Sequence, residues 1–401
     1  MVELGAAKIG RWALDYATQA LGRAATLVPG LNREYHIEER LQGPWPIAAE
    51  GNPYLWLHGA SLGECRMLLS LAKSLREDLP NCPPLLITTQ KVEVLPFLQE
   101  KGAGIVESAM APADIPSALT AFVKSVQPVG LILAENELWP GYLSTLSRIS
   151  TRKNIALVSG RYRRSLPYLD FSGMGYACMQ TSADLGRFAY ASKGCVPCTI
   201  GSDWKLLHWV REGGVIGTPE TVNIDTVFLS FHQEESEALL RMVKDSVDKG
   251  DAVVVMPRRL SELSSFRRLL LDAGLPVVDY PAVRKGCISL VTCYGLSHEI
   301  LSVSRSAVVG GSFVRHLGIH DFWEPLQMGV STCVGPYARG HEDAVAGLVG
   351  AHVLAQIHSP ADYLRRRYPS AAHVQSYLAA EKKKVSDSYQ LLLNFLKGLL
   401  S

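Results

Sequence analysis

The sequence predicts an α/β protein made of two doubly wound parallel-sheet domains in tandem, and three observations predict it. From about residue 53, short apolar runs alternate with segments of helical periodicity, the pattern of strand, crossover helix and parallel strand. The runs lack polar alternation, which is how strands covered by helices on both faces read. The scheme pauses at a turn-rich stretch around 203–225, which holds Gly213, Gly214, Gly217 and Pro219, and then starts again. With 401 residues the chain has room for two such domains, since compact domains run to roughly 100–200 residues each.

Taken in order, residues 1–50 form an N-terminal segment in which Ile9, Trp12, Ala13, Tyr16, Ala20, Ala24 and Leu27 fall on one helical stripe. Such a stripe can dock on the protein or rest on a membrane surface. The first domain, 51–205, carries strands at 54–58, 85–89, 131–135 and 155–159, and a connection is expected over 206–225. The second domain, 226–375, carries strands at 227–231, 252–256, 276–280, 288–291, 307–309 and 331–334. Its helices are expected near 233–249, 261–273 and 342–350. A final helical segment, 376–401, has the lysines at 382–384 on a solvated face. In such sheets ligands collect outside the carboxyl ends of the strands, where helix N-termini offer unpaired N–H groups. The functional residues are therefore expected there, facing a cleft between the domains.

Composition narrows the function classes. Lys and Arg number 40 against 38 Asp and Glu, a net charge of +2, which gives no basic field for nucleic acid as main partner. With 47% hydrophobic residues the chain can bury sizeable cores, which excludes wholesale disorder. No run approaches the roughly 18 apolar residues of a membrane span, and no signal peptide is read at the N-terminus. The eight cysteines are scattered, so reduced thiols in a cytoplasmic setting are expected. Cys195 and Cys198 form a C-x-x-C pair with no second pair at metal spacing.

Four motifs end strands. The first, H-G-A-S-L-G-E at 58–64, places Glu64 in the first turn of a helix, where the positive end of the dipole would hold it ionised as a general base. The same spacing, with Ser61 ahead of it, also fits a helix cap. The second, E-N-E-L-W-P at 135–140, delivers Glu135 and Glu137 at a strand end, able to grip sugar hydroxyls, to do acid/base work, or simply to charge a helix N-terminus. The third is Gly310-Gly311-Ser312-Phe313, whose backbone N–H groups can approach a phosphate, with Glu324 placed to take ribose hydroxyls. His316, His320 and Glu324 recur every four residues, but the neighbouring glycines argue for a loop, so no metal is expected. The fourth is Pro257-Arg258-Arg259, where an Arg can fork onto a phosphate or simply face solvent. Arg161, Arg163 and Arg164 form a basic knot that can meet an anionic acceptor.

In order along the chain, these motifs resemble the Kdo (3-deoxy-D-manno-octulosonic acid) transferases of lipopolysaccharide assembly. The matching segments are those at 58–64 and 135–140, S-G-R at 159–161, G-S-D-W-K at 201–205, S-F-H-Q-E-E at 230–235, P-R at 257–258, V-G-G-S-F-V at 309–314 and H-D-F-W-E-P at 320–325. The resemblance implies the GT-B fold of two Rossmann-like domains and an inverting, metal-independent glycosyltransferase without cofactor. It implies Glu64 as catalytic base, Glu135 and Glu137 with Ser61 and Arg161 on the acceptor side, and Lys205 as the family's lysine. Arg258, Gly310, Gly311, Ser312, Asp321 and Glu324 would meet the nucleotide of a CMP-sugar donor. The implied acceptor is lipid A-like or a glycan, and the implied location is peripheral at the inner face of the cytoplasmic membrane. Some positions depart from the family. One extra residue lies between His316 and His320, Asp321 stands for Asn, Glu234 for Gly and Arg259 for His. An acid beside a phosphate is unfavourable unless it turns away. A transferase using another nucleotide sugar, or a GT-B scaffold that only binds a glycan or protein, fits the same residues.

Overall fold

The computed structural model describes residues 36–162, 169–216, 222–365 and 369–401. The N-terminal apolar stripe and Arg163 and Arg164 lie outside the described residues. The chain divides into two units: residues 1–211 with 383–401, and residues 212–382.

In the first unit, strands β1 (Leu55–His58), β2 (Leu85–Thr89), β3 (Glu107–Met110), β4 (Gly130–Ala134), β5 (Ile155–Gly160), β6 (Met174–Met179) and β7 (Cys198–Ile200) form one sheet. All neighbours are parallel, in the order β3-β2-β1-β4-β5-β6-β7. Every residue of β1, β2, β4 and β5 is buried, as their unbroken apolar sequences require. One face packs on an aromatic core in which the Trp56 ring lies 4.5 Å from Phe122 and 4.8 Å from Tyr142. The helix Leu62–Asp78 buries Met67, Leu68, Leu71, Ala72 and Leu75, a spacing of three and four that puts them on one stripe. Each fully buried Leu contributes about 1.5–3 kcal/mol. Gly59 lets this helix start close to the strand, since an added Cβ would lie 2.9 Å from Cβ of Glu64.

The second unit repeats the plan with β8 (Ile224–Phe231), β9 (Val253–Pro257), β10 (Val277–Asp279), β11 (Ile288–Leu290), β12 (Ser304–Val309), β13 (Ser331–Val334) and β14 (Ala355–Gln356). Its parallel order is β10-β11-β9-β8-β12-β13-β14. Apolar clusters cover both faces, one around Phe228, Phe231 and Phe266, the other around Val227, Val254 and Leu301.

Strand order reverses between β1 and β4 in the first unit and between β8 and β12 in the second. Those switch points are where doubly wound sheets open a crevice at the strand carboxyl ends. His58 and Glu135 stand at the first, His232 and Gly310 at the second.

Three features differ from expectation. Leu207–Arg211, expected in the connection, is a helix in the first unit. The last helix, Ala371–Leu400, starts ahead of 376, and its end belongs to the first unit. There the Tyr176 hydroxyl donates to the Ser388 carbonyl (2.7 Å) and the Trp204 indole N–H to the Ser388 hydroxyl (3.1 Å). Strands β3, β6 and β14 were not foreseen: β3 starts on an exposed Glu107, β6 reads M-G-Y-A-C-M without a β-branched residue, and β14 is two residues long. Among the described residues no helix is long and apolar enough to cross a membrane.

Candidate active site

At the switch point of the first unit, Ser61 caps the helix Leu62–Asp78 in a reciprocal box. Its Oγ accepts from the Glu64 N–H (3.4 Å), while Glu64 Oε2 accepts from the N–H groups of Ala60 (2.6 Å) and Ser61 (3.0 Å). The cap and the base readings of Glu64 are thus one arrangement, because the capping carboxylate sits at the crevice. The helix terminus is not what decides its proton affinity. Burial, and after it the charge of Glu137, push the Glu64 carboxyl above its usual range, outweighing the two N–H groups and Arg161 that favour the anion.

Glu137 behaves in the opposite sense. Burial acts to raise it, but His58 and the Trp139 indole, whose N–H donates to Oε2 at 2.6 Å, hold it below the usual carboxylate range. His58 Nε2 lies 3.3 Å from the same oxygen. Two neighbouring carboxyls are thereby pushed apart in proton affinity, the pattern that separates an acid/base group from a fixed charge.

Glu135 does something the sequence did not suggest. Only 1% exposed, it pairs through Oε2 with Arg161 and through Oε1 with Lys205 Nζ at 3.1 Å. It is the counter-charge of two cations, not a grip for hydroxyls. Its backbone has φ +47°, a left-handed conformation that costs a non-glycine residue of order 1–2 kcal/mol and collects at functional sites. Lys205 is set by Asp203, whose Oδ1 accepts from the Lys205 N–H (3.0 Å) and from the Ser159 hydroxyl (3.3 Å). Its stem passes Gly63, where an added Cβ would lie 3.6 Å from Cε. Arg161 and Lys205, 19% and 23% exposed, therefore present positive charge beside Glu64.

The second unit corrects several nucleotide assignments. The Gly310 N–H donates to the Leu229 carbonyl (2.8 Å), the Gly311 N–H to Glu235 Oε2 (2.8 Å) and the Phe313 N–H to Glu235 Oε1 (3.0 Å). The diglycine N–H groups are thus spent within the protein and do not offer themselves to a phosphate. The glycines serve close packing: a Cβ on Gly310 would lie 2.5 Å from the Ser230 carbonyl oxygen, and one on Gly311 would overlap that of Gly318. Ser312 is fully buried, donating to the Val309 carbonyl (2.6 Å) and accepting from the Gly335 N–H (2.8 Å), so its side chain holds the turn together. Asp321 faces its own helix, accepting from the N–H groups of Trp323 (2.8 Å) and Glu324 (3.3 Å).

Arg258 is exposed at the end of β9, and its charge is felt at His320. Glu324 opens the helix Trp323–Gln327 and accepts from the Ser297 hydroxyl (2.7 Å), a partner the sequence did not flag. The rings of His232 and His320 stack with Nε2 atoms 2.6 Å apart, so one donates and the other accepts, and both cannot carry a proton on that contact. Burial, then Arg258 and His232, push His320 down to about 3. His316, His320 and Glu324 do not share a helix, because 310–322 is irregular. A different set, His232, Glu234 and Glu262, could place ligand atoms within 4.8 Å of one another. Glu262, however, already holds Arg259 at 3.3 Å and the Gln233 N–H at 3.2 Å.

Residues 35–182 match the family model described as 3-deoxy-D-manno-octulosonic-acid transferase (kdotransferase). The chain is 25% identical over 296 residues to the 3-deoxy-D-manno-octulosonic acid transferase of Aquifex aeolicus, covering 72% of this chain and 78% of that protein. It is 22% identical over 396 residues to the enzyme of that name from Chlamydia trachomatis serovar D, covering 89% of each. The chain is similar to the Kdo transferases over most of its length. Among solved structures, the chain is similar to a UDP-GlcNAc 2-epimerase from Neisseria meningitidis, with TM-score 0.54, 10% identity and coverage of 86% of this chain and 100% of that one. The fold is the α/β GT-B fold, two Rossmann-like parallel-sheet domains.

Proposed function

We propose that this chain is an inverting glycosyltransferase that moves Kdo or a related acidic sugar from a CMP donor to a hydroxyl of a lipid A-like or glycan acceptor. The observation that carries the reading is the pairing at a switch point of buried Glu64 with partly buried Glu137, one carboxyl raised and the other lowered. A raised carboxyl next to cations suits a base that must take a hydroxyl proton near neutral pH. In the proposed step Glu64 accepts that proton as the acceptor oxygen bonds to the anomeric carbon, and the bond to the CMP phosphate oxygen breaks on the opposite face. Arg161 and Lys205, balanced on Glu135, supply positive charge for the acid group of the sugar or for charge developing in the transition state. Ser61 borders the base. In the second unit Arg258 meets the phosphate and Glu324 the ribose, while Gly310, Gly311, Ser312 and Asp321 shape the turn and helix that position them. No step needs a metal or cofactor from these residues. The acceptor chemistry suits peripheral work at the inner face of the cytoplasmic membrane.

The test is Glu64→Gln, assayed with CMP-Kdo and a lipid A precursor. We expect kcat to fall by about 10²–10⁴-fold, with CMP affinity by calorimetry unchanged. Full transfer by this variant would falsify the reading. Titrations of CMP, UDP and GDP decide the donor nucleotide, and binding of none of them would favour a scaffold without activity.

A further inference from the structure

The mechanism above leaves unused a buried polar chain behind Glu137. The Trp56 indole N–H donates to Thr88 Oγ1 (2.7 Å), and Thr88 Oγ1 lies 2.9 Å from His58 Nδ1. His58 Nε2 then points at Glu137 Oε2, 3.3 Å away, and finds no hydrogen-bond partner of good alignment among the described residues. Trp56, Thr88 and His58 are all fully buried, in a setting where an unpaired polar atom costs about 1–3 kcal/mol.

The direction of the chain follows from its donors. An indole N–H can only donate, so Thr88 Oγ1 is an acceptor toward Trp56 and has its own proton to give. Giving it to His58 Nδ1 makes that nitrogen the acceptor and leaves the imidazole proton on Nε2, facing the carboxylate. The reverse tautomer would aim the lone pair of a fully buried Nε2 at a carboxylate oxygen, two acceptors face to face. Strands β1 and β2 set the order of contacts, since Trp56 and His58 leave the same face of β1 and His58 is in register with Thr88 on β2.

We propose that His58 is a positioning residue, its tautomer fixed by Thr88 and Trp56, that holds the Glu137 carboxylate in place as a permanent negative charge beside Glu64. The inference rests on Glu64 being the base, and it names what tunes that base. The groups facing the carboxyl pair are His58 and Trp139 at Glu137, and Arg161, Lys205 and the Ala60 and Ser61 N–H groups at Glu64. Of these, His58 acts on Glu64 only through Glu137.

The experiment is a titration of the Glu64 side-chain carboxyl by ¹³C NMR on the full chain, assigned by difference from Glu64→Gln, alongside the pH dependence of kcat. In His58→Leu, Glu137 loses its donor, shares the proton with Glu64, and the Glu64 midpoint falls by on the order of one pH unit while its titration broadens. The acid limb of kcat moves with it, and KM for the acceptor stays within about twofold. His58→Gln, whose amide N–H reaches the place of Nε2, restores the wild-type midpoint. If His58→Leu does not fold, Thr88→Val carries the same expectation with a smaller fall. A folded His58→Leu or Thr88→Val with the wild-type Glu64 midpoint overturns the proposal. The NMR midpoint does not depend on turnover. Failure of the base assignment, seen as activity in Glu64→Gln, is therefore distinguishable from failure of the positioning role.

Discussion

Single side chains at this site are set by what lies behind them. Glu135 shows the pattern: buried itself, it is tolerable as an anion only because Arg161 and Lys205 meet it, and they in turn are held close to Glu64. Removing one member of such a set leaves charge uncompensated. Glu135→Gln should therefore lower stability by about 2–4 kcal/mol in urea unfolding and also reduce kcat, because the freed cations lose their fixed place. His320 gives a pH signature of its own. In the unfolded chain its imidazole takes a proton near the ordinary 6.5, but in the folded chain only near 3. Between those values the unfolded state binds more protons, so stability is complete above about 6.5 and drains as the pH falls. The slope per group is at most about 1.4 kcal/mol per pH unit. Urea midpoints at pH 7 and pH 5 should differ less in His320→Gln than in the wild type. An equal difference would show that the ring is not held neutral by its burial and by Arg258.

At the scale of elements, the turn after β12 owes its shape to Glu235. That carboxylate gathers the N–H groups of His232 (3.0 Å), Gly311 and Phe313, tying the end of β8 to the end of β12 across the switch point. Because Glu235 already occupies those donors, phosphate binding in the second unit should depend on Arg258. Arg258→Ala is expected to weaken CMP binding at least tenfold by calorimetry without moving the melting temperature. Gly311→Ala, which meets both a positive φ of 75° and the Gly318 carbonyl, should instead destabilise the unit by about 2 kcal/mol or more. The strand ends were readable in the sequence because β1, β4 and β9 are almost wholly apolar, β8 and β12 carry apolar runs at 227–229 and 307–309, and each stops at a motif. The function of the glycines was misread for a physical reason: a Gly-Gly turn shows only that backbone comes close to something, and here that something is carbonyl oxygens and a carboxylate of the same protein.

At the scale of the molecule, the last helix closes the first unit with residues far away in sequence. Leu392 and Leu396 are fully buried, and Tyr389 donates to Asp78 Oδ2 (2.8 Å). Ending the chain at Lys382 would uncover this face, and each buried Leu lost costs about 2–5 kcal/mol. Calorimetry of that shortened chain should show the transition of the first unit lowered by many degrees or lost, while the second keeps its own. Loss of both together would mean that the two units unfold as one.

What the sequence determined by itself was the α/β class, the ten or so apolar strands, and the positions where chemistry gathers, since strand runs and the residues that end them are local properties of the chain. It also put Glu64 and Glu137 in motifs at strand ends, while the pairing of β1 with β4 that brings them together is seen only in the sheet order. Only the tertiary structure decided which carboxyl is raised and which is lowered, that Glu135 serves cations, that Asp321 turns to cap its helix, and that Glu235 fills the diglycine turn. Those outcomes depend on burial and on partners from other strands, and proton affinity and hydrogen-bond allotment are set by surroundings that a linear spacing does not contain.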